Sequence, residues 1–425
     1  MQTPGLLKGK TGDTAHGRRH LSTNKKYPLQ GCRVINFGWV FAGPYLATML
    51  GDLGAEVIKI ETRSRIDSMR LSPDNLDKEP DRDPWFHSGV RNQMSITLDM
   101  EQPKAIPVIK NLIKTSDVVI ENFSPKVMKQ HDLDYQALRQ IKPDIIMISL
   151  PATGHSGPLR DAQTYGPSLT GLAGVDGLVG YNGERVLGLQ QAYADVNSAL
   201  HGAFTVLAAL YYRKRTGKGQ FIEMAQLEAV VGIAGEAVME YVMNGRVLGT
   251  MGNYYPTMCP HNNYRCAEED KWVSIAVKTE DEWKAFCQAI GDPTWTKDER
   301  FADKYSRQRN RNELDRLITE WTSKLTYYEV TEILQKHGVA AAPCLDTEGR
   351  FFDPHLQERK TYLEVEHPTT GTDFIANSAW AMSDNQTEIR YRSPLLGEHN
   401  KHVFKELLHM TDEEIAQLEA EKVIY

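Results

Sequence analysis

Apolar and polar positions follow two rhythms between Gly31 and Leu150. Short apolar runs at Arg33 to Phe37, Glu56 to Glu61, Ser95 to Asp99, Val118 to Phe123 and Asp144 to Leu150 read as strands. Between them lie stretches of helical period. Gly43-Pro44 opens a helix through Leu53, with proline in its favoured first turn. Lys104 to Lys114 places Ile106, Ile109, Leu112 and Ile113 on one face, and Tyr135 to Ile141 makes a shorter helix. Strand and helix alternating in this way predict a parallel, doubly wound sheet, whose ligands gather at the carboxyl ends of its strands.

A second pattern begins at Leu187. Leu187 to Gly202 starts as an extended approach and turns helical, with apolar residues at Leu200, Ala203, Phe204, Leu207, Leu210 and Tyr211. Asp195, Asn197 and Ser198 precede this stripe, where helix N-caps are expected. Arg213, Lys214, Arg215 and Gly217 close the helix, and Phe221 to Met224 follows as a strand. A carboxylate at a helix mouth has two readings. As an N-cap it contributes about 1 kcal/mol. As a nucleophile it is kept ionised by the helix N-terminus, and backbone N–H groups, those of Asn197 and Ser198 being candidates, hold the oxyanion formed when it reacts.

The rest of the chain is less regular. Residues 151 to 190 are rich in Gly, Pro and Thr, and 225 to 244 form an amphipathic helix. Residues 249 to 345 resemble a second unit. They comprise an aromatic and polar loop from Gly252 to Asn263, a strand from Trp272 to Val277, helices near 280–290, 312–323 and 327–336, and a strand ending at Cys344. From 360 onward strand signals return, and Thr411-Asp-Glu-Glu414 is a capping box for a final helix.

A chain of 425 residues is long for one core and predicts two domains. Hydrophobic content of 41% and charged content of 25% are those of a soluble globular protein. The net charge of −7 argues against a nucleic-acid partner, and no apolar run is long enough to span a membrane. Residues 1 to 27 lack the apolar core of a signal peptide and read as a flexible basic tail. The five cysteines are scattered without a CxxC pair, which predicts a reduced, cytoplasmic protein. The histidines form no HExxH, so no metal site is expected.

Candidate chemistry collects at the strand ends. Gly38 to Pro44 follows the first strand, Arg63 and Arg65 follow the second, Arg91-Asn92 precedes the third, and Asn122 to Pro125 follows the fourth. The first loop lacks the middle glycine of the dinucleotide fingerprint, although Glu61 stands where a ribose-binding acid would. The three arginines read as surface charge or as a phosphate site.

Taken together, Gly43-Pro44, Leu53-Gly-Ala-Glu-Val-Ile-Lys-Ile-Glu61, Arg91-Asn92, Ser95-Ile-Thr-Leu-Asp99, Glu121-Asn-Phe123, Ala194-Asp195, Arg215-Thr-Gly-Lys-Gly-Gln220, Asp353-Pro-His355 and Leu396-Gly-Glu-His399 resemble the class III CoA transferase (CaiB/BaiF) family, in order from about Gly31 to the C-terminus. The resemblance implies a Rossmann-like α/β large domain built from both chain ends, with a smaller α+β domain inserted and two subunits interlinked. On this sequence that gives 28–224 as the first part of the large domain, 225–345 as the small domain with its linkers, and 346–425 as the return. It further implies an acyl-CoA substrate, no permanently bound cofactor, and a homodimer or a heteromer with a paralogous subunit.

In the frame A-x-x-D-x-N-S-x-x-H the family's nucleophilic aspartate falls on Asp195, and the CoA contacts fall on Ala42, Arg63, Arg65, Arg91, Asn92 and Lys129. The sequence departs from the family at Gln93, where lysine is common, at Thr62, where arginine is common, and in Asn253 to Pro260, which replaces a glycine-rich lid. The activity implied is CoA transfer, from succinyl-CoA to an acid such as benzylsuccinate. Two alternatives stand beside it. One is a racemase-like enzyme, whose histidine position falls on Tyr165 here. The other is a non-catalytic CoA-binding subunit.

Overall fold

The computed structural model describes residues 27–425 apart from Leu76, 182–185, 190–191 and 385–387. The basic stretch 1–26 and the Gln190-Gln191 pair that precedes Asp195 lie outside the described residues.

Six strands form one parallel sheet: β1 (Arg33–Asn36), β2 (Glu56–Glu61), β3 (Gln93–Thr97), β4 (Val118–Glu121), β5 (Ile146–Ser149) and β6 (Gln220–Glu223). Their order is β3-β2-β1-β4-β5-β6, the doubly wound order that reverses between β1 and β4. The central strands read as continuous apolar runs because helices cover both faces. On one face Ile35, Ile58, Ile96, Val119 and Met147 pack on Val108, Ile109 and Leu112 of the helix Ala105–Lys114. On the other face Val34, Val57, Ile120 and Ile148 meet Leu46 and Leu50 of the helix Ala42–Asp52, together with Ala199, Ala203 and Val206.

Those last three belong to the helix Tyr193–Thr216, which starts seven residues before the apolar stripe read from Leu200. Asp195 is therefore in the first helical turn, and the N-cap position is Ala192. Most of the stripe's large residues face outward, although Ala203 is buried. The small residues Ala194, Ser198, Ala199, Gly202 and Ala203 are buried, while Phe204 is 73% and Tyr211 64% exposed. Small residues let the helix approach its neighbour closely: a Cβ on Gly202 would stand 3.0 Å from Leu46 Cδ2. The helix ends as its sequence predicts, on Gly217 with φ +70° and an N–H donated to the Arg213 carbonyl at 2.8 Å.

Residues 261–344 contain an antiparallel sheet, ordered β7-β8-β9, of His261–Arg265 (β7), Trp272–Ala276 (β8) and Ala340–Cys344 (β9). Val273, Ile275, Phe286, Leu314, Ile318, Val330 and Leu334 form a core of their own. The strand β7 falls partly in the segment read as loop, because His261-Asn-Asn carries no apolar alternation. A hairpin of β10 (Tyr362–His367) and β11 (Gly371–Ala376) follows.

The chain then returns to the large sheet. Asn400 Oδ1 accepts the Thr97 N–H at 2.8 Å, the Tyr425 carbonyl accepts the Thr97 hydroxyl at 2.7 Å, and Val403, Phe404, Val423 and Ile424 join its core. This return covers the outer edge of β3. The final helix Asp412–Ala420 carries the expected capping box.

Candidate active site

A cavity of about 710 Å³ lies along the carboxyl ends of strands β1 to β5. Phe37, Trp39 and Val40 after β1, Thr62, Ser64 and Arg65 after β2, Leu98 and Asp99 after β3, Asn122 to Pro125 after β4, and Pro151 to Thr153 after β5 line it. Asp195, Tyr165, Gly166 and Gln226 line it as well. This is where a doubly wound sheet places its ligand.

The loops at the switch point are fixed by hydrogen bonds. Asn122 Oδ1 accepts the Trp39 N–H at 2.8 Å, and its Nδ2 donates to the Trp39 carbonyl at 2.9 Å. A Cβ on Gly43 would stand 2.9 Å from Gly38 Cα and 3.2 Å from Asn122 Oδ1, so only glycine allows this approach of helix to strand end. Val40 adopts φ +59°, a strained conformation for a β-branched residue. Its N–H is held at 3.0 Å by Asp67, which also accepts from the buried Lys59 ammonium at 3.1 Å.

That fixed loop places the Ala42 N–H beside the Asp195 carboxylate, where it favours the charged form. Burial pushes the Asp195 carboxyl up to about 6, against the pull of its own backbone N–H and that of Ala42. Raised by burial yet supplied with donors, the carboxylate is ionised at neutral pH and weakly solvated, which favours attack on a carbonyl. Gly166 leaves room for it: a Cβ there would lie 2.4 Å from Asp195 Oδ2.

The Asn197 and Ser198 N–H groups do not serve the site. The helical ladder begins with Val196 N–H donating to the Ala192 carbonyl, so the next two N–H groups are used inside the helix. The Asn197 side chain instead donates to the Ala229 carbonyl at 2.8 Å.

The proposed CoA contacts separate. Arg65 lines the cavity and lies over the Trp39 ring at 4.9 Å. Arg63 is exposed and donates to the Leu396 carbonyl at 3.3 Å. Lys129 is exposed on the short helix Val127–Gln130, just beyond the lining residue Val127. Arg91 and Asn92 are elsewhere. Arg91, 5% exposed, pairs with buried Asp52 at 2.7 Å. Asn92 donates to Asp52 at 2.7 Å and accepts the Arg390 and Tyr391 N–H groups at 2.7 and 3.0 Å. Arg91 ties its own segment to the end of the first helix, Asn92 also ties the returning chain there, and neither lines the cavity. Ala42, expected to touch CoA, has its N–H beside the Asp195 carboxylate.

Glu61 is likewise occupied. Burial opposes its charge, but Arg70 at 2.8 Å and Lys59 overcome this and hold the carboxyl down at about 2. It is not a free ribose acceptor. Glu121 was not singled out as a site residue by the sequence pattern. It is buried beneath the cavity, pushed up to about 7 by desolvation against bonds from Ser149 and the Phe123 N–H, and it fixes the lining residue Phe123 at 2.8 Å. Among the described residues no histidine lines the cavity; His155 is bonded to Ser149 at 2.7 Å and His201 is exposed.

The model of CoA-transferase family III matches residues 29–400. The succinyl-CoA–L-malate CoA-transferase beta subunit of Chloroflexus aurantiacus is 32% identical over 405 residues, covering 95% of this chain and 99% of the relative. The succinate–glutarate CoA-transferase of Agrobacterium fabrum is 31% identical over 392 residues, covering 90% and 96%. A solved CAIB/BAIF family protein from Brucella suis superposes with a TM-score of 0.82 at 30% identity, covering 90% of this chain and 99% of that one.

Proposed function

The chain belongs to CoA-transferase family III, and from that premise we propose that it moves CoA from succinyl-CoA to a second carboxylic acid through a thioester on Asp195. The observation that carries this reading is the Asp195 carboxylate at the cavity wall, raised to about 6 by burial with the Ala42 N–H beside it. An Asp195 oxygen attacks the thioester carbonyl; the C–S bond breaks, giving a mixed anhydride and CoA thiolate. The thiolate attacks the aspartyl carbonyl, releasing succinate and leaving aspartyl-CoA. The acceptor carboxylate then runs the two steps in reverse. The Ala42 N–H beside the carboxyl is the backbone donor we assign to the oxyanion that forms there.

For the acceptor we propose a dicarboxylic acid. Relatives are named for transfer to D-citramalate, L-malate and glutarate. Benzylsuccinate, the acid suggested by the sequence resemblance, belongs in the same comparison. A screen of these acids against labelled succinyl-CoA tests the reading; a monocarboxylate turned over faster than every dicarboxylate overturns the acceptor class. A racemase would need a proton carrier opposite Asp195, and the position its histidine would take is Tyr165, 72% exposed at the cavity rim.

We propose that the working unit is a dimer, with itself or with a paralogue. The helix Gly235–Asn244 has no buried residue, and Val242, Met243 and Val247 are 71%, 72% and 80% exposed. Phe204 and Tyr211, 73% and 64% exposed, are further large apolar side chains left in water, and a partner subunit would cover such residues. Relatives that are themselves alpha and beta subunits support a heteromer as the alternative to a homodimer.

A further inference from the structure

Away from the cavity, the helix Pro84–Gly89 packs on the β10–β11 hairpin, and there His87, His367 and Asp373 converge. One donor atom from each lies within 4.8 Å of the others. His87 is 5% and His367 4% exposed.

Hydrogen bonds tie the three to their surroundings and His87 to Asp373. His87 Nε2 lies 3.0 Å from the Asp81 carbonyl, an acceptor, so this nitrogen carries a proton. The opposite nitrogen, Nδ1, lies 2.8 Å from Asp373 Oδ2. A proton shared across this contact, or one metal ion held by both atoms, reconciles the two acceptors. His367 Nδ1 lies 3.0 Å from the Thr369 hydroxyl, and the Thr370 hydroxyl donates to Asp373 at 3.0 Å. His367 Nε2 is buried without a hydrogen-bond partner. The Ser393 carbonyl is near the ring but does not complete a bond to that nitrogen. Arg392, the cation on this side, is paired with Glu398 at 2.6 Å.

We propose that His87 Nδ1, His367 Nε2 and an Asp373 oxygen bind one divalent zinc-type ion, which fastens the β10–β11 hairpin to the helix Pro84–Gly89. Two imidazoles and a carboxylate suit zinc, with water completing four ligands. The Asp81 carbonyl and the two threonine hydroxyls are the outer partners that orient such ligands. The competing occupant is a proton, giving a His87 imidazolium paired with Asp373. The readings differ at His367, which is a ligand only for the metal.

The test uses the full chain without a polyhistidine tag, stripped by chelator and titrated with Zn²⁺ or Co²⁺. The expected result is one equivalent bound, a Tm raised by several degrees, and cobalt d–d absorption without a thiolate charge-transfer band. His367→Gln and Asp373→Asn, each checked for folding by circular dichroism, should both weaken binding by at least about tenfold. The proposal is overturned if stripped protein binds no stoichiometric metal, if a thiolate band appears, or if both variants keep wild-type affinity.

Discussion

Replacing Asp195 with Asn should remove transfer activity while making the protein more stable, and only above a definite pH. Burial raises this carboxyl from 3.8 to about 6. A shift of about two units corresponds to roughly 3 kcal/mol by which the folded state disfavours the ionised form. Asn removes that penalty but gives up about 1 kcal/mol of hydrogen bonding, since its amide cannot accept at both former oxygens. The net gain at pH 8 is about 2 kcal/mol, a Tm rise of about 2 °C for a chain of this size.

The sign fixes the pH window. A carboxyl with a raised folded value contributes its full stability below pH ~4 and loses it as pH rises through about 6. The variant should therefore match or fall slightly below wild type near pH 4 and exceed it above pH 7. Calorimetric melts at pH 4.5, 6 and 8, at one protein concentration, read this directly. A Tm difference that does not change with pH, or a variant less stable at pH 8, refutes the claim that burial controls Asp195.

Gly166→Ala should fold normally yet lose at least about 100-fold in kcat, because its Cβ displaces Asp195 Oδ2 from a position 2.4 Å away; steady-state kinetics with a melt as control checks this. Arg65→Ala should raise KM for the CoA ester with little change in kcat. Arg91→Ala should leave KM unchanged and destabilise by about 3 kcal/mol by stranding the buried Asp52 charge, as denaturant unfolding would read. Sedimentation should give a dimer, and a Val242→Glu, Met243→Glu pair should break it; an active wild-type monomer would contradict the assembly proposed from the exposed helix faces.

The parallel sheet was legible because its strands are buried on both faces and so read as apolar runs broken by helical periods. The helix carrying Asp195 was misread for a physical reason. Its inward face is mostly Ala, Ser and Gly, which give little hydrophobic signal, while Leu200, Phe204 and Tyr211 point outward. The motif order located Asp195, but a sequence cannot say what a residue touches. Arg91 and Asn92 look like anion binders until Asp52 and the backbone of residues 388–391 are placed beside them, from 39 and about 300 positions away. Glu121 and Gly166 carry meaning only through neighbours that folding supplies. The His87, His367 and Asp373 cluster joins residues 286 positions apart, which spacing motifs do not reach.

The most direct test of the central claim is to trap the intermediate. Wild-type protein is mixed with succinyl-CoA and no acceptor, treated with hydroxylamine, digested and read by mass spectrometry. The account predicts a hydroxamate on the peptide containing Asp195, absent without the thioester and absent in Asp195→Asn. A hydroxamate on another carboxylate, or full transfer activity in the Asp195→Asn protein, would contradict it.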